Sequence, residues 1–200
     1  MARSDRDALA TEKLVSRARS GDASAFEALA ARYASYAAAI GSAHLSDPED
    51  VRDIVQDAFF EAWQDLKRLR DARTFRTWLG RIVRNRALDR GRRLAVRAAE
   101  RAEPAGAGAA AAPAGPRETD PAAAAEARET AALVRAGLAE VEATGRECLA
   151  LRHVAGLSCA EIAEALGLTR SAVESRLFRA RMHLRRALKK RGLVGGDRTG

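Results

Sequence analysis

The stretch from residue 95 to residue 125 constrains this chain most. It holds Pro104, Gly106, Gly108, Pro113, Gly115, Pro116 and Pro121 among alanines, with no large apolar residue after Val96. Such a stretch has little to bury and is punctuated by residues that break regular structure, so it reads as a flexible linker. Alanine favours helix locally, but the glycines and prolines argue against a long one. The linker divides 200 residues into a first unit at 1–94, a second at 126–192 and a tail at 193–200. Units this short close only small cores. Hydrophobic residues make up 47% of the chain, many of them alanine, and aromatic residues only 4%. Closely packed helices suit that composition better than large side chains between sheets. No strand alternation is present. The expected fold class is therefore all-α, with two small helical domains joined by a flexible linker and no internal repeat.

Helical spacing places the elements. Residues 8–20 carry Leu9, Leu14 and Val15 on one face, and Gly21-Asp22 then breaks the chain. Asp22 is suited to N-cap a helix over 23–43 with a seam of Phe26, Leu29, Ala30, Tyr33 and Ala37. Asp47 as N-cap and Pro48 as first helical residue open a third helix that runs to about Leu69. A fourth starts near Arg73 or Thr74 and ends near Arg93. Four more are expected at 126–141, 144–154, 159–166 and 170–190.

Net charge is +8 with a pI near 10.4, which favours a polyanionic partner. The distribution is more informative than the sum. Residues 47–66 carry seven acids against Arg52, residues 76–93 seven arginines against Asp89, and residues 170–192 nine Lys/Arg against Glu174. The start of the chain is charged and has no apolar core of a signal peptide, and no stretch is long and apolar enough for a membrane span. A cytoplasmic protein without membrane insertion is expected. Cys148 and Cys159 make no disulfide framework and read as small buried hydrophobes. With His153 and His183 they lack the close pairing of a structural zinc site. No metal, cofactor or catalytic constellation is expected, and the chain is read as not an enzyme.

On the third helix Val51, Ile54, Val55, Ala58, Phe59, Ala62, Trp63 and Leu66 form an unbroken stripe to bury. The other face holds Asp53, Gln56, Asp57, Phe60, Glu61 and Gln64. At 100° per residue Phe60 stands about 180° from Val51. A phenylalanine among carboxylates fits a protein interface with an apolar anchor and a charged rim; the alternative is a solvated acidic face with one stray aromatic.

The next segment, Lys67 to Arg73, leads into the arginine-rich helix, whose seam is Phe75, Leu79, Ile82, Val83 and Leu88. Arg76, Arg81, Arg84, Arg90, Arg92 and Arg93 point largely away from that seam, with almost no acidic partners in the stretch. A guanidinium fork suits phosphate, and Asn85 among them suits a base edge. Trp78 lies beside the seam; it packs in the core or walls a pocket for an unstacked base.

The last two helices read as a helix-turn-helix. Ile162, Ala163 and Leu166 face inward, Gly167-Leu168-Thr169 make the turn, and Thr169 caps a helix with the seam Val173, Leu177, Ala180, Leu184 and Leu188. Arg170, Ser171, Ser175, Arg176, Phe178 and Arg179 are the candidate DNA-reading side chains, since the N-terminal half of such a helix enters the major groove. A helical bundle without a DNA role is the competing reading.

Several of these segments together resemble a family. Leu14-Val15, Gly21-Asp22 and Phe26, then Asp53-Ile54-Val55-Gln56-Asp57-Ala58-Phe59, Phe75-Arg76-Thr77-Trp78-Leu79 and Arg84-Asn85-Arg86-Ala87-Leu88-Asp89, are similar to region 2 of extracytoplasmic-function sigma factors, the smallest of the sigma-70 family. Leu151 to Ser158 and Val173 to Arg181 resemble their region 4. The resemblance implies a factor that binds core RNA polymerase, recognises and melts promoter DNA, and starts transcription of a specific regulon. It implies that Asp53, Gln56, Asp57, Phe60 and Glu61 dock on the clamp helices of the largest polymerase subunit, and that region 4 meets the flap region. It places Arg68, Arg70, Arg73, Arg76, Trp78, Arg81, Arg84 and Asn85 at the minus-ten element, with a flipped base held by the loop at about Lys67 to Arg73. The helix-turn-helix then reads the minus-thirty-five element. Many relatives are held inactive by an anti-sigma factor, and the resemblance leaves room for such a partner. Two departures stand out. Glu174 occupies a place where the family commonly has Lys or Arg, and its carboxylate accepts from a cytosine amine or repels phosphate. Glu142 stands where a proline is common. The competing functions are an autonomous helix-turn-helix regulator, which has no need of the Phe60 face, and an enzyme acting on nucleic acid, which the residues disfavour.

Overall fold

The computed structural model describes residues 3–100 and 121–193, so most of the expected linker and tail lies outside the described residues. Eight α-helices are seen among them: α1 (Arg3–Arg19), α2 (Ala23–His44), α3 (Pro48–Asp65), α4 (Phe75–Glu100), α5 (Pro121–Ala139), α6 (Ala143–His153), α7 (Cys159–Leu166) and α8 (Arg170–Lys190). Single 3-10 turns at Leu66–Arg68 and Ala72–Thr74 join α3 to α4. No described residue is in a strand, and the all-α expectation holds.

Local chemistry sets most boundaries. Asp22 caps α2 by accepting from the backbone N–H of Ala25, and Asp47 caps α3 by accepting from Glu49, with Pro48 following. Helix α3 ends at Asp65, short of the expected Leu69, because the chain tightens there into a 3-10 turn. Helix α4 runs on to Glu100, beyond the expected Arg93. Leu94 to Glu100 are mostly strong helix formers, and no glycine or proline stands between them and Pro104. Helix α5 starts at Pro121 rather than 126, with proline in the first-turn position that tolerates it. Helix thus extends into the expected linker from both sides. Glu142 occupies the cap position of α6 but makes no side-chain capping bond.

Helices α1 to α4 bury Val15, Leu29, Ile40, Ile54, Phe75, Leu79 and Val83. Phe75 meets the ring of Tyr33 edge-on at 5.3 Å. A Cβ on Gly80 of α4 would lie 2.4 Å from the buried Tyr36 hydroxyl of α2, so a larger residue there would have to displace that side chain. Leu88 departs from the expected seam. It is 44% exposed, and Ala87 is buried in its place. Helices α5 to α8 bury Cys148, Leu151, Ile162, Val173, Leu177 and Ala180. The two units are in contact: α6 lies against α2 and α7 against α4. The side chain of Arg146 crosses this seam, its Nε donating to the Ala43 carbonyl at 2.7 Å.

Candidate docking and nucleic-acid surfaces

The burial pattern of α3 separates its two faces as its periodicity requires. Ile54, Ala58 and Ala62 are buried, and Phe59 and Trp63 pack on Phe26 with ring centroids 6.4 and 5.0 Å away. Asp53, Gln56 and Asp57 are exposed, and Phe60 among them is 64% exposed. Glu61 is half-buried because α4 holds it: Arg86 donates from Nε to Glu61 at 2.8 Å and from Nη1 to Asp57 at 3.3 Å. Arg90 holds Asp50 in the same way, its Nε donating at 2.8 Å. The acidic face is therefore tied to α4 at two points, with an apolar ring standing out of it. Sequence reasoning missed Arg86 and Arg90 as its fasteners. Their spacing of four places them on one face of α4, but only the crossing of α3 and α4 shows what they meet.

The arginine row of α4 does not act as one surface. Arg81 and Asn85 are exposed, and Arg68, Arg70 and Arg73 are exposed on the approach to the helix. Arg68 pairs with Asp65 at 2.7 Å and Arg73 with Asp71 at 3.1 Å, contacts that solvent weakens. Trp78 is half-buried with its ring 6.0 Å from that of Phe75, packed against the core with part of its surface still in solvent. Arg76 and Arg84 face the second unit instead. Arg76 pairs with Glu161 of α7 at 3.5 Å, and Arg84 donates to Glu147 of α6 at 2.9 Å. Arg92 pairs with Asp89. The expectation that these arginines have almost no acidic partners is corrected by their tertiary neighbours. Arg76, Arg84, Arg86 and Arg90 all meet carboxylates on other helices.

Glu147 is the most enclosed of those carboxylates, with its side chain only 5% exposed. Burial works to raise its pKa, but the His44 contact and the Arg84 guanidinium outweigh burial and hold it below the ordinary glutamate range. The His44 Nε2 stands 3.7 Å away, beyond hydrogen-bonding distance, and this buried nitrogen has no closer partner. Glu147 was not singled out from the sequence. Its signal was an acid flanked by Gly145, Cys148, Leu149 and Leu151, all buried. Glu161 has two roles. One oxygen pairs with Arg76, and the other closes a capping box with Ser158 at the start of α7.

In the helix-turn-helix, Gly167 ends α7 at φ +65°, and Thr169 caps α8 by accepting from the Ala172 N–H at 3.2 Å. Arg170, Ser171, Ser175, Phe178 and Arg179 share one exposed side of α8, and Phe178 is 67% exposed. Arg170 donates from Nε to Glu174 at 2.8 Å. Arg176 departs from the expected set. It is half-buried, its Nη1 turned back to the Ala172 carbonyl at 3.4 Å and its Nε buried without a partner. Helical periodicity places Arg176 beside the buried seam of Val173, Leu177 and Ala180 rather than on the outward side.

The chemistry on these surfaces is that of binding. Among the described residues, no group of three or more His, Cys, Asp or Glu gathers in the manner of a metal site. Burial pushes the Cys148 thiol up to about 11, which keeps it protonated and unreactive. No helix among the described residues is long and apolar enough to cross a membrane.

Comparison with known proteins agrees with this division. Residues 26–97 match the family Sigma-70 region 2, and residues 132–190 match Sigma-70, region 4. The ECF RNA polymerase sigma-E factor of Escherichia coli K12 is 39% identical over 79 residues, and that of Haemophilus influenzae 35% over 79. Each match covers 40% of this chain and 41% of the relative, so the chain spans about two fifths of these curated relatives. The solved structure of CnrH in complex with the cytosolic domain of CnrY is 31% identical, with a TM-score of 0.63, over 90% of this chain and 98% of that one. The sigma factor RpoE of Bartonella quintana, solved with the anti-sigma factor NepR, shares the fold at 23% identity and a TM-score of 0.54, over 77% of this chain and 90% of that one.

Proposed function

The chain belongs to the extracytoplasmic-function sigma factors of the sigma-70 family, and from that premise we propose that it binds core RNA polymerase, recognises and melts promoter DNA, and starts transcription of a specific regulon. The observation that carries the reading is Phe60, standing 64% exposed in an acidic face on the same chain as a basic recognition helix. An autonomous regulator needs only the second of these surfaces. In the proposal, Asp53, Gln56, Asp57, Phe60 and Glu61 dock on the polymerase clamp helices. Arg68, Arg70, Arg73, Arg81, Asn85 and the exposed part of Trp78 meet the minus-ten element. Arg170, Ser171, Ser175, Phe178 and Arg179 meet the minus-thirty-five element. Arg76 and Arg84 join the minus-ten set only when Glu161 and Glu147 release them. The chemistry of RNA synthesis belongs to the polymerase, and the site of action is the cytoplasm. An anti-sigma partner is part of the proposal: the family resemblance leaves room for one, and the similar CnrH is solved in complex with another protein, the cytosolic domain of CnrY.

Run-off transcription with purified core polymerase tests the reading. A promoter library should yield transcripts from a defined subset of sequences only when the factor is added. Specific duplex binding with no effect on transcription by core polymerase would favour the autonomous regulator and overturn the proposal.

A further inference from the structure

We propose that Glu174 is a specificity-determining residue of α8 that selects cytosine at one position of the upstream promoter element, accepting a hydrogen bond from the base's N4 amine while holding the Arg170 guanidinium beside it. The proposal rests on the reading of α8 as the DNA-recognition helix. Glu174 is the one carboxylate in α8, among eight Lys/Arg side chains. A carboxylate facing a polyphosphate weakens binding to every sequence unless it makes a favourable contact of its own. Glu174 lies in the second turn, within the half of the helix that enters the major groove, and its side chain is 50% exposed.

Helix stability does not account for it. Arg170 occupies the first turn, where the helix dipole disfavours a cation. The pair also runs Arg before Glu at i,i+4, the weaker of the two orders, and both side chains are exposed. Base chemistry does account for it. A carboxylate only accepts hydrogen bonds. In the major groove guanine offers N7 and O6, both acceptors, and thymine offers O4 and a methyl. Adenine sets the N7 acceptor beside its amine, whereas cytosine offers the N4 amine. Arg170 binds Glu174 through Nε at 2.8 Å. This bond orients the carboxylate and leaves the two outer guanidinium nitrogens for an adjoining guanine or phosphate.

The test is selection of a randomised upstream element by the full-length protein assembled with core polymerase. The unaltered protein should prefer cytosine over thymine at one position, on the order of tenfold. Glu174→Ala should flatten that position, with any further change confined to the adjoining position where Arg170 is released. Glu174→Gln should move its preference to adenine, because a carboxamide matches the N6/N7 pair. A sequence profile left unchanged by both substitutions overturns the proposal alone. So does a uniform gain in affinity across all sequences, which would assign Glu174 a purely repulsive role. A flat profile for the unaltered protein overturns the recognition reading of α8 and this proposal with it.

Discussion

A single outward ring distinguishes each of the two proposed interaction surfaces from an ordinary solvated helix face. Phe60 and Phe178 leave apolar area in water that folding could have buried, at an unfavourable ~25 cal/mol per Å². A partner that covers them recovers it. The double substitution Asp57→Arg with Phe60→Ala removes the apolar anchor and reverses charge in the rim, and touches nothing in the buried stripe. Core polymerase pull-down should be abolished while far-UV circular dichroism stays unchanged; retained pull-down would remove the docking assignment. Arg176 behaves in the opposite way. Its half-buried guanidinium belongs to the packing of the second unit. Arg176→Ala is therefore expected to lower the melting temperature more than it changes base preference, and Arg179→Ala the reverse. Periodicity foretold the outward phenylalanines. It also placed Arg176 near the seam, but a list of basic residues in a recognition helix hid that position.

At the scale of the element, the turn between α7 and α8 depends on Gly167 at φ +65°. A residue with a Cβ in the left-handed region costs about 1–2 kcal/mol. Gly167→Val should lower the stability of the second unit by at least that, read in a denaturant titration, with α3 docking unaffected. The pairing of α3 with α4 makes a separate prediction. Arg86 joins Asp57 and Glu61 of the proposed docking face to α4. Arg86→Ala should weaken polymerase binding, because two carboxylates lose the group that positions them. Restoration by Arg86→Lys would be incomplete, since an ammonium cannot reproduce the fork that spans both. The sequence placed both helices and their faces. It could not pair Arg86 with carboxylates 25 and 29 positions away, because the helix crossing decides that.

For the whole molecule, the contact between the two units is the deciding feature. Arg84 reaches Glu147 across 63 positions and Arg76 reaches Glu161 across 85. While those pairs stand, both arginines face carboxylates, so under the proposed function their use at the minus-ten element requires the pairs to part. Glu147→Gln should loosen the seam and raise the radius of gyration of the free protein in small-angle scattering. An unchanged radius would show that apolar contact alone holds the units together. The pH dependence has a definite sign. A carboxylate held below its ordinary pKa stabilises the closed form fully above the glutamate range, and that contribution is lost as pH falls through the folded value. Acidification should therefore open the unaltered protein, and Glu147→Gln should remove that part of the response. The sequence by itself determined the all-helical class, the division into two units, the helix-turn-helix and the outward placement of Phe60 and Phe178. Each of these follows from residue spacing, capping side chains and Gly/Pro punctuation within one or two turns of chain. Only the tertiary structure decided that Leu88 is exposed and that the two units meet through Arg84 and Glu147. It also decided which arginines of α4 pair with carboxylates on other helices. A guanidinium on a helix surface takes its partner from whatever element packs across from it, and that choice depends on distances between helices that no local pattern encodes.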